Sequence, residues 1–310
     1  MRSRLLILRM ASLAGALGLA LAACLPGDTR PQPAVVHLTV EPSPAIAAGV
    51  TTTDGWQISF ERLLVSLGGA GLSARGVGGR GADDTLCNSY AGAGYERLFD
   101  FTVGGQQKLS DIYGLGTCGV RLRLRSPGSD SLLGEGVTAD DLAFMRVEGT
   151  DAIITSGRRT VYLRGRATRG AVTKRFEWTF RVGVSLHGCA GAGDVGFASD
   201  VVLTSNEVLP LPLIVHGEEL FHASLADDSP LRFDPIAEAD ADGDQNITLD
   251  ELADVAGPVP ESDGGIASSD GGTPTLEAFL YEGLVPRMVR IGDSAACVGD
   301  TQQMMMPAGG

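Results

Sequence analysis

The segment RFEWTFRVGV, which runs from Arg175 to Val184, alternates large apolar residues with polar ones. The apolar side chains occupy every second position, as Phe176, Trp178, Phe180, Val182 and Val184. Because successive side chains of a strand point to opposite faces of a sheet, this period of two predicts a strand with one buried and one wet face. Sheets with one solvated face are typically antiparallel. The segment therefore predicts an antiparallel β-fold.

A second alternating segment is VRLRLRS, from Val120 to Ser126. Similar short segments, joined by glycine-rich turns, are found at residues 35–40, 56–67, 96–102, 160–167, 200–208 and 211–215. About eight strands with little helix between them are typical of a sandwich of packed sheets. We therefore predict an antiparallel β-sandwich over residues 35–215. Within it, the seven glycines of residues 68–82 predict a mobile loop.

Helical signals are weaker and lie mainly after the predicted sandwich. One short helix is predicted to begin at Thr138, whose hydroxyl can cap it and which is followed by two acidic residues that suit the helix dipole. Beyond residue 215 the apolar spacing changes, and the stretches HGEELFHASL and LDELADVA favour short helices. We predict a short helical segment over residues 216–290 and a C-terminal tail over residues 291–310, of which TQQMMMPAGG, residues 301–310, is expected to be disordered.

The N-terminus, MRSRLLILRMASLAGALGLALAAC, has three arginines ahead of a short apolar run. The run is too short to span a bilayer comfortably, so residues 1–23 are predicted to be a secretory signal peptide. The end of this segment, from Leu21 to Cys24, resembles the lipobox of bacterial lipoproteins. The resemblance implies cleavage before Cys24 and acylation of that residue, which would anchor the chain in a lipid bilayer. Each buried CH₂ of the acyl chains would contribute about 0.8 kcal/mol to anchoring.

Residues 24–34 are rich in proline and predict a tether between the bilayer and the folded domain. Leu25, rather than an aspartate, follows the cysteine, and by resemblance to the sorting pattern of Gram-negative lipoproteins this favours the outer membrane. Removal of residues 1–23 takes away three of the 24 basic residues and none of the 38 acidic ones, which leaves a net charge of about −17. Such a surface repels nucleic acid. The partners expected are the lipid bilayer and an unknown protein or small-molecule ligand.

Four cysteines remain after the lipidated one, and they are Cys87, Cys118, Cys189 and Cys297. An even number in an oxidising compartment predicts two disulfides, for which three connectivities exist. Pairing of neighbours along the chain favours Cys87 with Cys118 and Cys189 with Cys297. A zinc site is disfavoured because no two of them show the C-x₂-C spacing.

The stretch DADGDQNITLDE, from Asp240 to Glu251, places five carboxylates within twelve residues. Such crowding is unfavourable unless a cation bridges the charges. The stretch resembles the calcium loop of EF-hands, with oxygen ligands at positions 1, 3, 5, 7, 9 and 12. The residues at those positions are Asp240, Asp242, Asp244, Asn246, Thr248 and Glu251. The resemblance implies calcium as the cofactor.

One position departs from the EF-hand pattern. Position 6 is normally glycine because the backbone has a positive φ there, whereas this chain has Gln245. A non-glycine residue in that conformation costs on the order of 1 kcal/mol. No second loop with this spacing follows, so we expect one weak site with a Kd of roughly 10⁻⁴ to 10⁻³ M and a structural role.

Two other functions are considered beside a non-enzymatic calcium-binding lipoprotein. The first is a carrier or sensor of transition metal that uses His216 and His222, which flank GEELF. The second is an envelope hydrolase, for which Glu135, Asp140 and Asp141 near one predicted loop are the available carboxylates. No nucleophile is paired with a base in the sequence, so an enzyme is not expected.

Overall fold

The alternating segment at residues 175–184 forms parts of two strands in a large, curled sheet. The computed structural model describes residues 31–73, 87–91, 94–151, 153–154, 156–187, 200–258, 274–291 and 298–301. The strands in chain order are β1 Ala34–Pro42, β2 Val50–Thr51, β3 Gln57–Ser73, β4 Cys87–Ala91, β5 Glu96–Asp100, β6 Gln107–Leu124, β7 Leu132–Leu133, β8 Glu148–Gly149, β9 Gly157–Arg158, β10 Val161–Arg169, β11 Val172–Phe180, β12 Val184–His187, β13 Asp200–Leu203, β14 Val208–Val215, β15 Asn246–Ile247, β16 Val289–Ile291 and β17 Val298–Thr301.

Helices are short throughout the described residues. The α-helices are α1 Pro44–Ala48, α2 Ala139–Met145, α3 Asp234–Ala237, α4 Leu249–Ala253 and α5 Leu276–Ala278. Two 3₁₀ turns cover Gly217–Phe221 and Val285–Met288, and a π-helical turn covers Phe279–Leu284. The helix predicted at Thr138 is confirmed as α2. The Thr138 hydroxyl accepts a hydrogen bond from the Asp141 N–H, and the Asp141 carboxylate accepts one from the Thr138 N–H.

The main sheet runs in the order β15-β11-β10-β3-β6-β1-β14-β16, with the remaining strands attached at its sides. Its pairs are antiparallel except for β1 with β14, β5 with β7 and β11 with β15. Strands β8 and β9 form a separate pair. The prediction of a mainly β, antiparallel fold followed by short helices is confirmed, and the curl of the fifteen-stranded main sheet is compatible with the predicted sandwich.

Part of the hydrophobic core lies between the alternating strand β11 and the segment after residue 215. Phe176, Trp178 and Phe180 are fully buried, as the period of two requires. The ring of Phe176 lies 5.7 Å from that of Phe221 and 6.0 Å from that of Phe233. Because burial of such large rings is the main stabilising contribution in a domain, the helical turns after residue 215 belong to the same core as the sheet.

The predicted loop at residues 68–82 is corrected in its first part, since Gly68–Ser73 continues strand β3. The glycines there allow close packing of backbones. A Cβ on Gly68 would lie 2.6 Å from the carbonyl oxygen of Tyr95 on the neighbouring strand, a distance that forbids any side chain. Residues 74–82 lie outside the described residues.

The C-terminal residues return to the sheet. Strand β16 pairs with β14, and β17 pairs with β12 through partners such as Val184 and Thr301. The predicted C-terminal tail thus contributes Ile291 to β16 and all of β17, including Thr301, the first residue of the stretch expected to be disordered. Residues 292–297 and 302–310 lie outside the described residues.

The chain divides into two units, Met1–Gln32 and Pro33–Gly310. The predicted signal peptide and Cys24 lie outside the described residues. None of the helices that the structure describes is long and apolar enough to cross a bilayer.

Candidate metal site

The acidic loop connects helix α3 to helix α4 and passes through the two-residue strand β15. Ile236 and Leu252, one from each flanking helix, are buried in the core and fix the two ends of the loop. Ile247 is also fully buried. The loop is therefore held by apolar contacts on both sides while its acidic residues stay near the surface.

The backbone of the loop turns with positive φ at two positions. Gly243 has φ 76° and Gln245 has φ 70°. The positive φ expected at Gln245 from its place in the loop is confirmed. Only one other non-glycine residue in the described chain, Asn206, has a positive φ. The backbone conformation of Gln245 is therefore unusual, and the surrounding contacts maintain it.

Three carboxylates converge inside this turn. Oxygen atoms of Asp240, Asp242 and Asp244 all lie within 4.8 Å of one another, and this is the only such group of three or more potential metal ligands among the residues that the structure describes. Asp242 Oδ1 accepts a hydrogen bond of 3.0 Å from the Asp244 N–H, and Asp244 Oδ1 accepts one of 2.6 Å from the Asn246 N–H. These bonds orient the carboxylates toward a common point.

Asp240 is the buried member of the group, with a side chain that is 0% exposed. Its Oδ2 accepts hydrogen bonds from the Lys174 ammonium and from the Gln245 N–H, the latter at 3.1 Å. The Lys174 bond is the main cause that lowers the pKa of Asp240 below its ordinary value. Its Oδ1 is buried and has no hydrogen-bond partner among the described residues. An unpartnered buried carboxylate oxygen is costly, and a cation would satisfy it.

Glu251 lies at the end of the loop and takes part in a different set of bonds. Its Oε2 accepts hydrogen bonds from the N–H of Thr248 at 2.8 Å and from the Thr248 hydroxyl at 2.9 Å. Its Oε1 accepts a bond of 3.2 Å from the Ala241 N–H at the start of the loop. Glu251 thus caps helix α4 and also connects the two ends of the loop.

The loop is attached to the edge of the sheet. Strand β15 pairs in parallel with β11, with Asn246 opposite Arg175 and Ile247 opposite Phe176. The indole N–H of Trp178 donates a hydrogen bond of 3.0 Å to the carbonyl oxygen of Ile247, and both residues are fully buried. The loop is therefore hydrogen-bonded directly to the aromatic core.

The two histidines of the transition-metal hypothesis lie beside acidic neighbours. His216 Nδ1 is 2.8 Å from Glu218 Oε1, and His222 Nε2 is 3.5 Å from Glu219 Oε1. Glu219 also forms ion pairs with Arg287 and Arg290. His216 Nε2 and His222 Nδ1 are buried and have no hydrogen-bond partner among the described residues, but no third ligand joins either histidine in a metal-sized group there.

The carboxylates of the hydrolase hypothesis have structural partners or lie exposed. Asp141 accepts hydrogen bonds from Thr138 and from the Arg62 guanidinium, the latter at 2.7 Å. Glu135 and Asp140 are exposed. The structure does not bring these three groups into a cleft with a nucleophile among the residues it describes.

Of the two predicted disulfides, Cys87–Cys118 is present, with an S–S distance of 2.05 Å. It joins strand β4 to strand β6, which also pair through their backbones. Cys189 and Cys297 lie outside the described residues.

Lys174 is the residue of this site that the sequence pattern did not assign. A signal for it was present, because Lys174, Phe176 and Trp178 lie two residues apart and so share the buried face of β11. A lysine on a buried face requires an acidic partner. Its partner, Asp240, lies 66 residues away in sequence and could be identified only from the tertiary structure.

Comparisons with protein-family models, with curated proteins and with solved structures give no match to this chain. Its function is therefore inferred from its own residues.

Proposed function

We propose that this protein is a lipid-anchored protein of the cell envelope that binds calcium through residues 240–251 and has a non-enzymatic binding or scaffold role. The observation that supports calcium binding is the convergence of Asp240, Asp242 and Asp244, with one buried oxygen of Asp240 that has no hydrogen-bond partner in the described part of the chain. The anchor rests on the lipobox-like sequence that ends at Cys24.

The donor set favours calcium over other ions. All available ligands are carboxylate, carbonyl or hydroxyl oxygens, which hard cations prefer. Calcium binds oxygens at about 2.3–2.6 Å, so two oxygens on opposite sides of the ion are roughly 5 Å apart. The three aspartate oxygens lie within 4.8 Å of one another, a separation that one such ion can bridge. Magnesium requires a tighter octahedron and should bind less well.

Glu251 limits the affinity. To coordinate the ion with both oxygens it must give up the bonds to Thr248 and Ala241 that it makes in this structure. Replacing hydrogen bonds with metal bonds reduces the net gain. This supports a weak site, with a Kd of roughly 10⁻⁴ to 10⁻³ M.

A structural role follows from the attachment of the loop to β11. An ion bound to the folded state alone stabilises it by RT ln(1 + [L]/Kd), or about 1.4 kcal/mol at ten times Kd. Calcium would thereby strengthen the connection between the C-terminal segment and the sheet.

Calorimetric titration of the purified full-length protein with calcium chloride tests the proposal. We expect binding at millimolar concentration and a modest rise in Tm, with a smaller effect of magnesium. Glu251→Gln should weaken binding at least several-fold because it removes a charged ligand. Gln245→Gly should raise the Tm both with and without calcium, because glycine adopts the positive φ of this position without strain.

Asp228→Asn is the matched control, since Asp228 is an exposed acid outside the loop. It should leave the calcium isotherm unchanged. Absence of calcium heat at millimolar concentration in the wild type, or an isotherm unaltered by Glu251→Gln, would contradict the proposal.

A further inference from the structure

Lys174 places a positive charge inside the acidic loop. In β11, Lys174 precedes Arg175, whose backbone pairs with Asn246 and whose N–H donates a hydrogen bond to the Gln245 carbonyl oxygen. The register thus brings the lysine beside Gln245, whose own N–H bonds the same oxygen of Asp240 as the ammonium does. Its side chain is 17% exposed, and its ammonium forms an ion pair with the fully buried carboxylate of Asp240. Backbone hydrogen bonds between β11 and the loop therefore hold the strand that carries this charge close to Asp240.

The ammonium occupies one oxygen of Asp240 and leaves the other without a partner. Oδ2 receives Lys174 and the Gln245 N–H, while Oδ1 is buried and unsatisfied among the described residues. A divalent ion held by Asp240 would lie only a few ångströms from the Lys174 nitrogen. Two positive charges at that distance repel each other strongly in a partly buried site.

We infer that Lys174 is an internal counter-ion of the calcium loop, which holds the loop together without metal and competes with calcium for Asp240. This inference rests on the proposed calcium function and concerns its regulation. Calcium at the free Oδ1 would lie beside the ammonium on Oδ2, so its apparent affinity is reduced by the repulsion of the two charges or by the cost of opening the ion pair to relieve it. Two cations thus compete for the Asp240 carboxylate, namely the Lys174 ammonium and a calcium ion from solution.

Removal of the ammonium tests the inference. In calorimetric titrations of the full-length protein with calcium chloride, Lys174→Met should lower the Kd about five- to tenfold, because calcium no longer displaces an ion pair or approaches a like charge. Without calcium the same variant should have a lower Tm, since Asp240 loses its partner. Saturating calcium should restore that Tm. Lys174→Gln should behave in the same way and replaces Lys174→Met if the latter fails to fold.

Arg175→Met is the matched control. It removes the same charge one residue along β11, from the exposed face of the strand. It should leave the Kd within about twofold of the wild type, because long-range charge effects at the surface are screened.

The outcomes separate the inference from the calcium function. If the wild type binds calcium and Lys174→Met binds it with the same Kd, the inference is wrong and the calcium function stands. If only the Lys174 variants bind calcium, the inference is supported and the native loop uses lysine in place of the ion. If neither the wild type nor the variants bind calcium, both are wrong.

Discussion

Glu277 is a buried acid whose charge the fold does not compensate. It is 0% exposed, and neither carboxylate oxygen has a hydrogen-bond partner among the described residues. Burial, together with the nearby negative charges of Asp151 and Asp250, raises the pKa of Glu277 to about 7. The side chain is consequently protonated in the folded protein at mildly acidic pH.

This raised pKa predicts a loss of stability as pH rises. In the unfolded chain the same group ionises at its ordinary pKa of 4.5, so between pH 4.5 and about 7 the unfolded state binds fewer protons than the folded state. The contribution of Glu277 to the free energy of unfolding is fully present below pH 4.5. It falls between pH 4.5 and about 7 and is constant at higher pH. The total loss is roughly 3 kcal/mol.

Urea denaturation of the wild type and of Glu277→Gln between pH 5 and pH 8 measures this effect. The difference between their free energies of unfolding should change by roughly 3 kcal/mol across the window, because the amide of the variant does not titrate. Glu135→Gln, which replaces an exposed glutamate, should reproduce the wild-type pH dependence. Equal pH dependence in the wild type and in Glu277→Gln would show that Glu277 is ionised in the folded state.

At the same scale, the candidate site could be predicted only in part. The positions of the three aspartates followed from their spacing, and the positive φ of Gln245 followed from its place in the loop. The pairing of Lys174 with Asp240 did not, because it depends on which strand the loop joins. The spacing of the acidic residues in the sequence is enough to predict the loop. The positive charge that pairs with it, Lys174, is determined by tertiary contacts.

At the scale of elements, the disulfide Cys87–Cys118 cross-links β4 and β6. It closes a stretch with a sequence separation of 31 residues. A cross-link of this span restricts the unfolded chain by about 3 to 4 kcal/mol in the chain-entropy model. The paired substitution Cys87→Ala and Cys118→Ala should lower the free energy of unfolding by about this amount, or more since both residues are buried.

Chemical denaturation of the wild type with and without reductant provides the comparison. Reduction should shift the wild-type midpoint toward that of the alanine pair and leave the midpoint of the pair itself nearly unchanged. A wild-type midpoint that is insensitive to full reduction would contradict a stabilising role of the disulfide.

A strand could be predicted from the sequence where its apolar and polar side chains alternate. Strand β11 was evident from its alternation, but the glycine-rich end of β3 carries no such pattern. Gly68 lies in a strand because it pairs with Glu96 of β5, and the position excludes a side chain because the Tyr95 carbonyl oxygen approaches too closely. Similarly, β17 forms at residues with no apolar alternation because β12 offers them backbone partners.

At the scale of the whole molecule, lipidation is the prediction that decides where the protein is located. Cys24→Ser should abolish labelling by a fatty-acid analogue and leave unprocessed precursor, because the serine hydroxyl does not replace the thiol as acceptor in the lipobox pattern. The wild-type chain should partition into detergent and carry the label. A serine variant that is still processed and partitions into detergent would contradict the lipoprotein assignment.

The pairing of β15 with β11 also has a consequence for self-association. Among the described strands, β15 is the last at its end of the sheet, and without it β11 would be an open edge. An unpaired strand offers its backbone N–H and C=O groups to any other chain, and Val172 on β11 adds an apolar side chain that is 49% exposed. By occupying Arg175 and Phe176, the acidic loop blocks the middle of this edge with a negatively charged cap that a second copy of the protein would repel.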